Sequence, residues 1–144
     1  MEEHQNMLIR DGAQRIVFVS SPLAAETEWQ RHLHVEHAKK ACAFVVEKGC
    51  IPFAPHLLFP TFMTDDNPLE RERAIQMGLE MISRCDGLWV FPYEDRISLG
   101  MAREIMRASA LGKRIALWSL ELLDAEEQLV DVVEEKEEQK EAAS

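Results

Sequence analysis

Leu88-Trp89-Val90-Phe91, followed after a short loop by Ser98-Leu99-Gly100-Met101-Ala102-Arg103-Glu104, is the stretch that decides the fold. The first four residues form a short, uninterrupted apolar run, the pattern of a strand buried on both faces. Ser98 has the chemistry of a helix N-cap, and Gly100 leaves space where the helix begins. Glu104 follows Gly100 by four residues and Met101 by three, so it shares their side of the helix. A strand, a loop and a Ser/Gly helix start together predict an α/β unit with an edge of free N–H groups beside a carboxylate. Such an edge suits a phosphate or a sugar oxygen.

The same alternation extends outward in both directions. Arg15 to Ser20 (RIVFVS) is a β-branched run that stops at Ser21-Pro22, a first strand followed by a loop. From Arg31 to Lys48, Val35, Ala38, Ala41, Cys42, Val45 and Val46 recur at helical spacing, and Gly49 supplies the stop. Cys50 to Ala54 is a short second strand, and His56 to Asp66 reads as an aromatic-rich loop. Asn67-Pro68-Leu69-Glu70 combines an N-cap, a proline at the first helical position and a capping-box glutamate. Ile75, Gly78, Leu79 and Ile82 then mark one helical face. Leu99 to Leu111 is the next helix and Arg114 to Trp118 the fourth strand. This alternation predicts a three-layer α/β domain of the Rossmann or flavodoxin-like kind, with a mostly parallel sheet of four to five strands. Ligands of such sheets bind at the carboxyl ends of the strands.

The 144 residues divide into an N-terminal arm (1–14), one α/β domain (15–119) and an acidic helical C-terminal segment (120–144). In the last segment Leu122, Leu123, Leu129, Val130, Val132 and Val133 are apolar, whereas Glu134 to Ser144 has little to bury. The formal net charge is −10, from sixteen basic and twenty-six acidic residues. That balance argues against a nucleic-acid duplex, which needs clustered Lys and Arg, and is compatible with a small metabolite. Cys42, Cys50 and Cys85 are odd in number, lack CxxC spacing and read as reduced, buried thiols. With a polar start from Met1 to Arg10 and no apolar run of membrane-spanning length, the expectation is a soluble cytoplasmic protein.

With these residues in view, the chain resembles the nucleoside 2-deoxyribosyltransferase-like superfamily, which includes 2'-deoxynucleoside 5'-monophosphate N-hydrolases. The resemblance covers roughly Arg15 to Trp118. It rests on an ordered set: Ser20-Ser21-Pro22 after the first strand, Gly49-Cys50-Ile51-Pro52 into the second, Cys85-Asp86-Gly87 opening the third, Ser98-Leu99-Gly100 to Glu104, and Ala110-Leu111-Gly112-Lys113 before the fourth. A PHLLFP segment (Pro55 to Pro60) points to a bacterial and phage branch.

The resemblance implies an enzyme that cleaves an N-glycosidic bond, as hydrolase or deoxyribosyltransferase, with no metal or organic cofactor. Glu104 matches the glutamate that attacks the anomeric carbon, and a carboxylate beside a helix N-terminus suits that role. Retaining glycosyl chemistry needs a second acid. Glu80 matches an aspartate of the hydrolases, a departure of one methylene, and Asp86 matches the aspartate that starts the third strand. Ser98 and Gly100, with Met101 behind them, match the 5'-phosphate cradle. Ser20, Ser21 and Pro22 replace the Gly-rich or Tyr-containing turn of other members. The family also implies a homodimer or larger homo-oligomer with a nucleoside or nucleotide as partner.

Three further residues are read as candidate ligand contacts from their placement. His56 follows a strand, Arg71 opens a helix with RE-type charges, and Arg96 precedes Ser98 by two residues. His32, His34 and His37 lie close in sequence, yet only His34 and His37 share a helical face, so no metal set is assigned. Two rivals stay open: a nucleotide-binding sensor without turnover, and an interaction protein whose partner docks on the acidic helix.

Overall fold

The computed structural model describes residues 15–64 and 66–123. The proposed N-terminal arm and the acidic run from 124 onward lie outside the described residues. The elements are β1 (Ile16–Ser20), α1 (Glu28–Glu47), β2 (Ile51–Phe53), α2 (Pro55–Leu58), a 3-10 turn (Phe59–Thr61), α3 (Pro68–Ile82), β3 (Gly87–Val90), α4 (Leu99–Ala110) and β4 (Arg114–Leu117).

Local chemistry accounts for the ends of these elements. Thr27 caps α1, its hydroxyl accepting the Gln30 N–H, which starts the helix three residues before the apolar periodicity alone predicts. Gly49, at φ 82°, closes the same helix in the left-handed conformation that favours glycine. Asn67 caps α3, accepting from Leu69 N at 3.0 Å and Glu70 N at 3.4 Å. The capping box expected from Glu70 does not close; its carboxylate accepts the Thr64 N–H at 3.3 Å and ties the preceding loop down instead. The segment expected as a loop from His56 contains α2 and the 3-10 turn. Pro55 at the first helical position and Pro60 in the following turn pre-set the backbone for both.

All strand pairs are parallel, in the order β2-β1-β3-β4. Strand alternation sends side chains to two cores. Phe18, Leu88 and Val90 pack with Ile82 of α3 and with Met101 and Ala108 of α4. Val17 and Val19 pack on the other face with Ala41 and Val45 of α1, together with Phe91 and Leu120. The structure is thus a three-layer α/β domain, with α1 on one face and α3 and α4 on the other. Residues 120–123 begin a further helix on the α1 face, with Ser119 accepting the Leu122 N–H.

Each helix that follows a strand here runs back against it. The first turns of α1, α3 and α4 therefore stand at the carboxyl edge of the sheet and their last turns at the amino edge. The chain goes from β1 to β2 on one side and returns to β3 on the other. The carboxyl ends of β1 and β3 consequently flank the switch point, where sheets of this topology offer a crevice.

Candidate functional site

Ser20 is the last residue of β1 and shares the pleat direction of Phe18, toward α4. On α4, Met101, Glu104 and Ala108 form the inward stripe at spacings of three and four, and all three are buried. These two local patterns bring Ser20 and Glu104 together across 84 residues: the Ser20 hydroxyl donates to Glu104 Oε1 at 2.8 Å. Ser20 is fully buried and Glu104 is 7% exposed. Burial pushes the Glu104 carboxyl up to about 7, and the Ser20 hydrogen bond opposes that rise by favouring the charged form. A carboxyl so placed changes charge near neutral pH.

Six residues before Glu104, Ser98 caps α4, its Oγ accepting the Met101 N–H at 3.2 Å. The first intrahelical acceptor is Ser98 O, which takes Ala102 N at 2.9 Å. Leu99 and Gly100 thus present N–H groups that helix geometry leaves for an external acceptor. A Cβ at Gly100 would meet only Ser98 Oγ, at 3.9 Å, so the approach there is open. Met101 itself is buried as core, and its contribution to this edge is its backbone.

The structure gathers Ser20, Ser98, Gly100 and Glu104 at the carboxyl edge. Ser21 and Pro22 continue from Ser20 and are both buried. The Ser21 hydroxyl has no hydrogen-bond partner among the described residues. His56 lies half-buried in the first turn of α2, directly after β2. Arg71 is exposed near the start of α3, and Arg96 is exposed in the loop after β3, so both stand on the same edge of the sheet.

Glu80 and Asp86 do not join this group. Glu80 is exposed on the last turn of α3, at the amino edge, because α3 runs against the strands. The level is marked by Lys113, before β4, whose Nζ donates to Ser83 O at 3.1 Å. Asp86 precedes β3, and its Oδ2 accepts the Ile16 N–H at the start of β1 at 2.8 Å. Ile16 to Ser20 spans roughly 13 Å of extended chain, which separates Asp86 from Glu104 by the height of the sheet. A recess lined by Arg15, Asp86, Gly112, Lys113 and Arg114 opens at that far edge.

His34 and His37, assigned no site role from the sequence, hold the site's loops. His37 Nε2 donates to Phe91 O at 2.9 Å and His34 Nδ1 to Leu23 O at 3.3 Å, joining α1 to the loops after β3 and β1. Both rings meet Tyr93 edge-on. The three-residue spacing of the histidines is visible in the sequence, whereas their acceptors are remote. Among the described residues no three His, Cys, Asp or Glu side chains converge as a metal centre requires.

Among solved structures, the chain is similar to the 2-deoxyribosyltransferase of the psychrotolerant bacterium Bacillus psychrosaccharolyticus, at 21% identity over 72% of each chain, with a TM-score of 0.58. It also aligns with the CMP N-glycosidase BcmB of Clostridium botulinum, at 26% identity over 73% of this chain and 71% of that one, with a TM-score of 0.46. The first likeness establishes a nucleoside 2-deoxyribosyltransferase-like fold. No curated protein matches the sequence. A family model matches residues 15–118, and the chain therefore belongs to the family described as a domain of unknown function, DUF7768.

Proposed function

We propose that this protein cleaves the N-glycosidic bond of a nucleoside or nucleotide, as a hydrolase or a 2-deoxyribosyltransferase. The observation that carries the reading is the buried Glu104 carboxylate, held by the Ser20 hydroxyl at the switch point of the sheet and overlooked by the N–H edge of α4. In the reaction, ionised Glu104 attacks the anomeric carbon as the bond to the base breaks. The glycosyl-enzyme is then resolved by water or by an acceptor base. Ser20 keeps one carboxylate oxygen engaged and so aims the other. Ser98 and Gly100 offer donors for an oxyanion, which favours a 5'-phosphorylated substrate. Similarity of fold to a deoxyribosyltransferase supports the reaction class.

A homo-oligomer is part of the reading. Leu58, Phe62, Leu69, Ile97 and Leu99 are exposed; Leu58 ends the short α2, and the other four belong to a loop or helix start on the carboxyl edge. A second subunit over that edge would cover them and enclose the crevice. Cys85 is buried, whereas Cys42 and Cys50 are only half-buried, against the expectation of three buried thiols; all three are free, which supports a reducing, cytoplasmic setting. Among the described residues no helix is long and apolar enough to cross a membrane.

The second reading is a nucleotide-binding sensor without turnover. It is favoured by the position of Glu80 and Asp86, the expected second acids, on the far edge. A chromatographic assay with deoxynucleosides and their 5'-monophosphates, with and without an acceptor base, separates the two readings. Base release or exchange by the wild type and not by Glu104→Gln supports the enzyme. A ligand that raises the melting temperature without any turnover supports the sensor.

A further inference from the structure

The loop between β3 and α4, residues 91–98, connects the switch point to the Ser98 cap. It turns back on itself through an antiparallel bridge between Tyr93 and Arg96, with Arg96 N donating to Tyr93 O at 3.1 Å. The two residues at the tip, Glu94 and Asp95, have φ of 52° and 57°. Neither is glycine, so both occupy a backbone region that disfavours their side chains. Such a turn does not maintain itself by local preference; contacts elsewhere must hold it.

Those contacts are present on three sides. The Tyr93 ring packs edge-on against two imidazoles of α1, with centroids 5.2 Å from His34 at 79° and 5.2 Å from His37 at 67°. His37 donates to Phe91 O at the root of the loop. The Glu94 N–H donates to Glu121 Oε1 at 3.2 Å, on the turn that follows β4. His34 and His37 are 7% and 6% exposed, so the grip is built into the protein and is not a surface contact. His34 also anchors Leu23, which gives the loops after β1 and β3 a common support on α1. These loops lead from Ser20 on one side and to Ser98 on the other.

We propose that Tyr93, packed against His34 and His37, is a positioning residue: it holds the strained 91–98 loop and thereby keeps the N–H edge of α4 in register with Glu104. The inference rests on the proposed role of that edge as an oxyanion cradle. Tyr93 acts through the loop and touches no reacting atom. Its loss therefore weakens capture of the oxyanion and leaves the chemistry at Glu104 largely intact.

Two measurements on the full chain test this, and the first needs no substrate. In Tyr93→Ala, amide hydrogen exchange of Glu94 and Arg96, the two loop amides with acceptors, is expected to accelerate about tenfold or more, with the amides of α1, β1 and β3 unchanged. Tyr93→Phe keeps the ring and is expected to exchange as the wild type does. Adding Asp95→Gly to Tyr93→Ala removes strain at the tip and is expected to restore part of the protection. Tyr93→Leu, which keeps apolar bulk, replaces the alanine variant if that one fails to fold. Unchanged exchange at Glu94 and Arg96, or acceleration spread evenly over the domain, would overturn the proposal.

The second measurement titrates inorganic phosphate against the Leu99 and Gly100 amide signals. Affinity is expected to fall about fivefold in Tyr93→Ala and to stay at the wild-type level in Tyr93→Phe. If the wild type shows no phosphate response, the oxyanion reading of the edge fails, while the exchange data still decide whether Tyr93 holds the loop. If a substrate is in hand, the alanine variant raises KM about fivefold with kcat within twofold; a fall in kcat alone would contradict the positioning role.

Discussion

Glu104 and Asp86 stand at opposite edges of one sheet, and each carboxylate accepts a hydrogen bond of 2.8 Å. Asp86 is exposed, and its partner is a backbone N–H, that of Ile16 at the start of β1. It satisfies a donor that the sheet leaves over where the strand begins. Glu104 is buried, and its partner is a side chain, the Ser20 hydroxyl. Among the described residues no backbone group donates to it, and burial opposes its charge. A buried acid engaged by a single hydroxyl is costly to retain, and that contrast is the physical ground for placing reactivity at one edge and stability at the other.

The comparison breaks if Glu104 can be replaced without loss of turnover. Glu104→Gln removes the attacking oxygen and is expected to lower base release on the order of 10⁴-fold, read by the chromatographic assay. The same substitution has a separate signature in stability. With a folded value of about 7 above an ordinary 4.5, folded Glu104 holds its proton more tightly than the unfolded chain does. Its contribution is therefore most favourable below pH 4.5 and declines as pH rises toward 7. The total is about 3 kcal/mol, an order-of-magnitude figure. Denaturant midpoints of the wild type are expected to fall across that window relative to those of Glu104→Gln. Parallel profiles for the two proteins would show that the carboxyl is not buried as described.

Ser20→Ala sharpens the comparison within the reactive edge. It removes the donor that favours ionised Glu104, so the acid limb of the rate profile is expected to move to higher pH. The loss of stability is expected to be about 1–2 kcal/mol, from the unpaired carboxyl. An unmoved acid limb would mean that Ser20 and Glu104 are not coupled. At the other edge, Asp86→Ala is expected to cost about 1 kcal/mol through the freed Ile16 N–H, with base release within about twofold of the wild type. Glu80→Ala is expected to change stability by no more than about 0.5 kcal/mol, as exposed positions do, and turnover not at all. A large loss of turnover in either variant would return the second acid to the expected place and undo the division between the edges.

Much of this arrangement is readable without coordinates. Asn67-Pro68 and Ser98 announce helix starts because capping depends on the first few residues alone. The Met101, Glu104 and Ala108 stripe is likewise visible as spacing. The helix at Pro55 is less so, since four residues make too short a period to detect. Glu80, which the resemblance matches to an aspartate of the hydrolases, shows what a local match leaves out: a helix advances 1.5 Å per residue, so twelve residues past Pro68 lie roughly 18 Å down the axis, at the amino edge of the sheet. The His34, His37 and Tyr93 contact combines one helix with a loop more than fifty residues away, and no local pattern contains it.

The sequence by itself determined the alternation of strands and helices, the caps that start α3 and α4, and the inward stripe that carries Glu104. These follow from interactions among residues a few positions apart, so a short window of sequence contains their causes. The tertiary structure alone decided that Ser20 meets Glu104, that Asp86 serves the opposite edge and that α1 grips the loop after β3. Such relations depend on which strands pair and in which direction each helix returns, and the pairing of β1 with β3 joins residues about seventy positions apart.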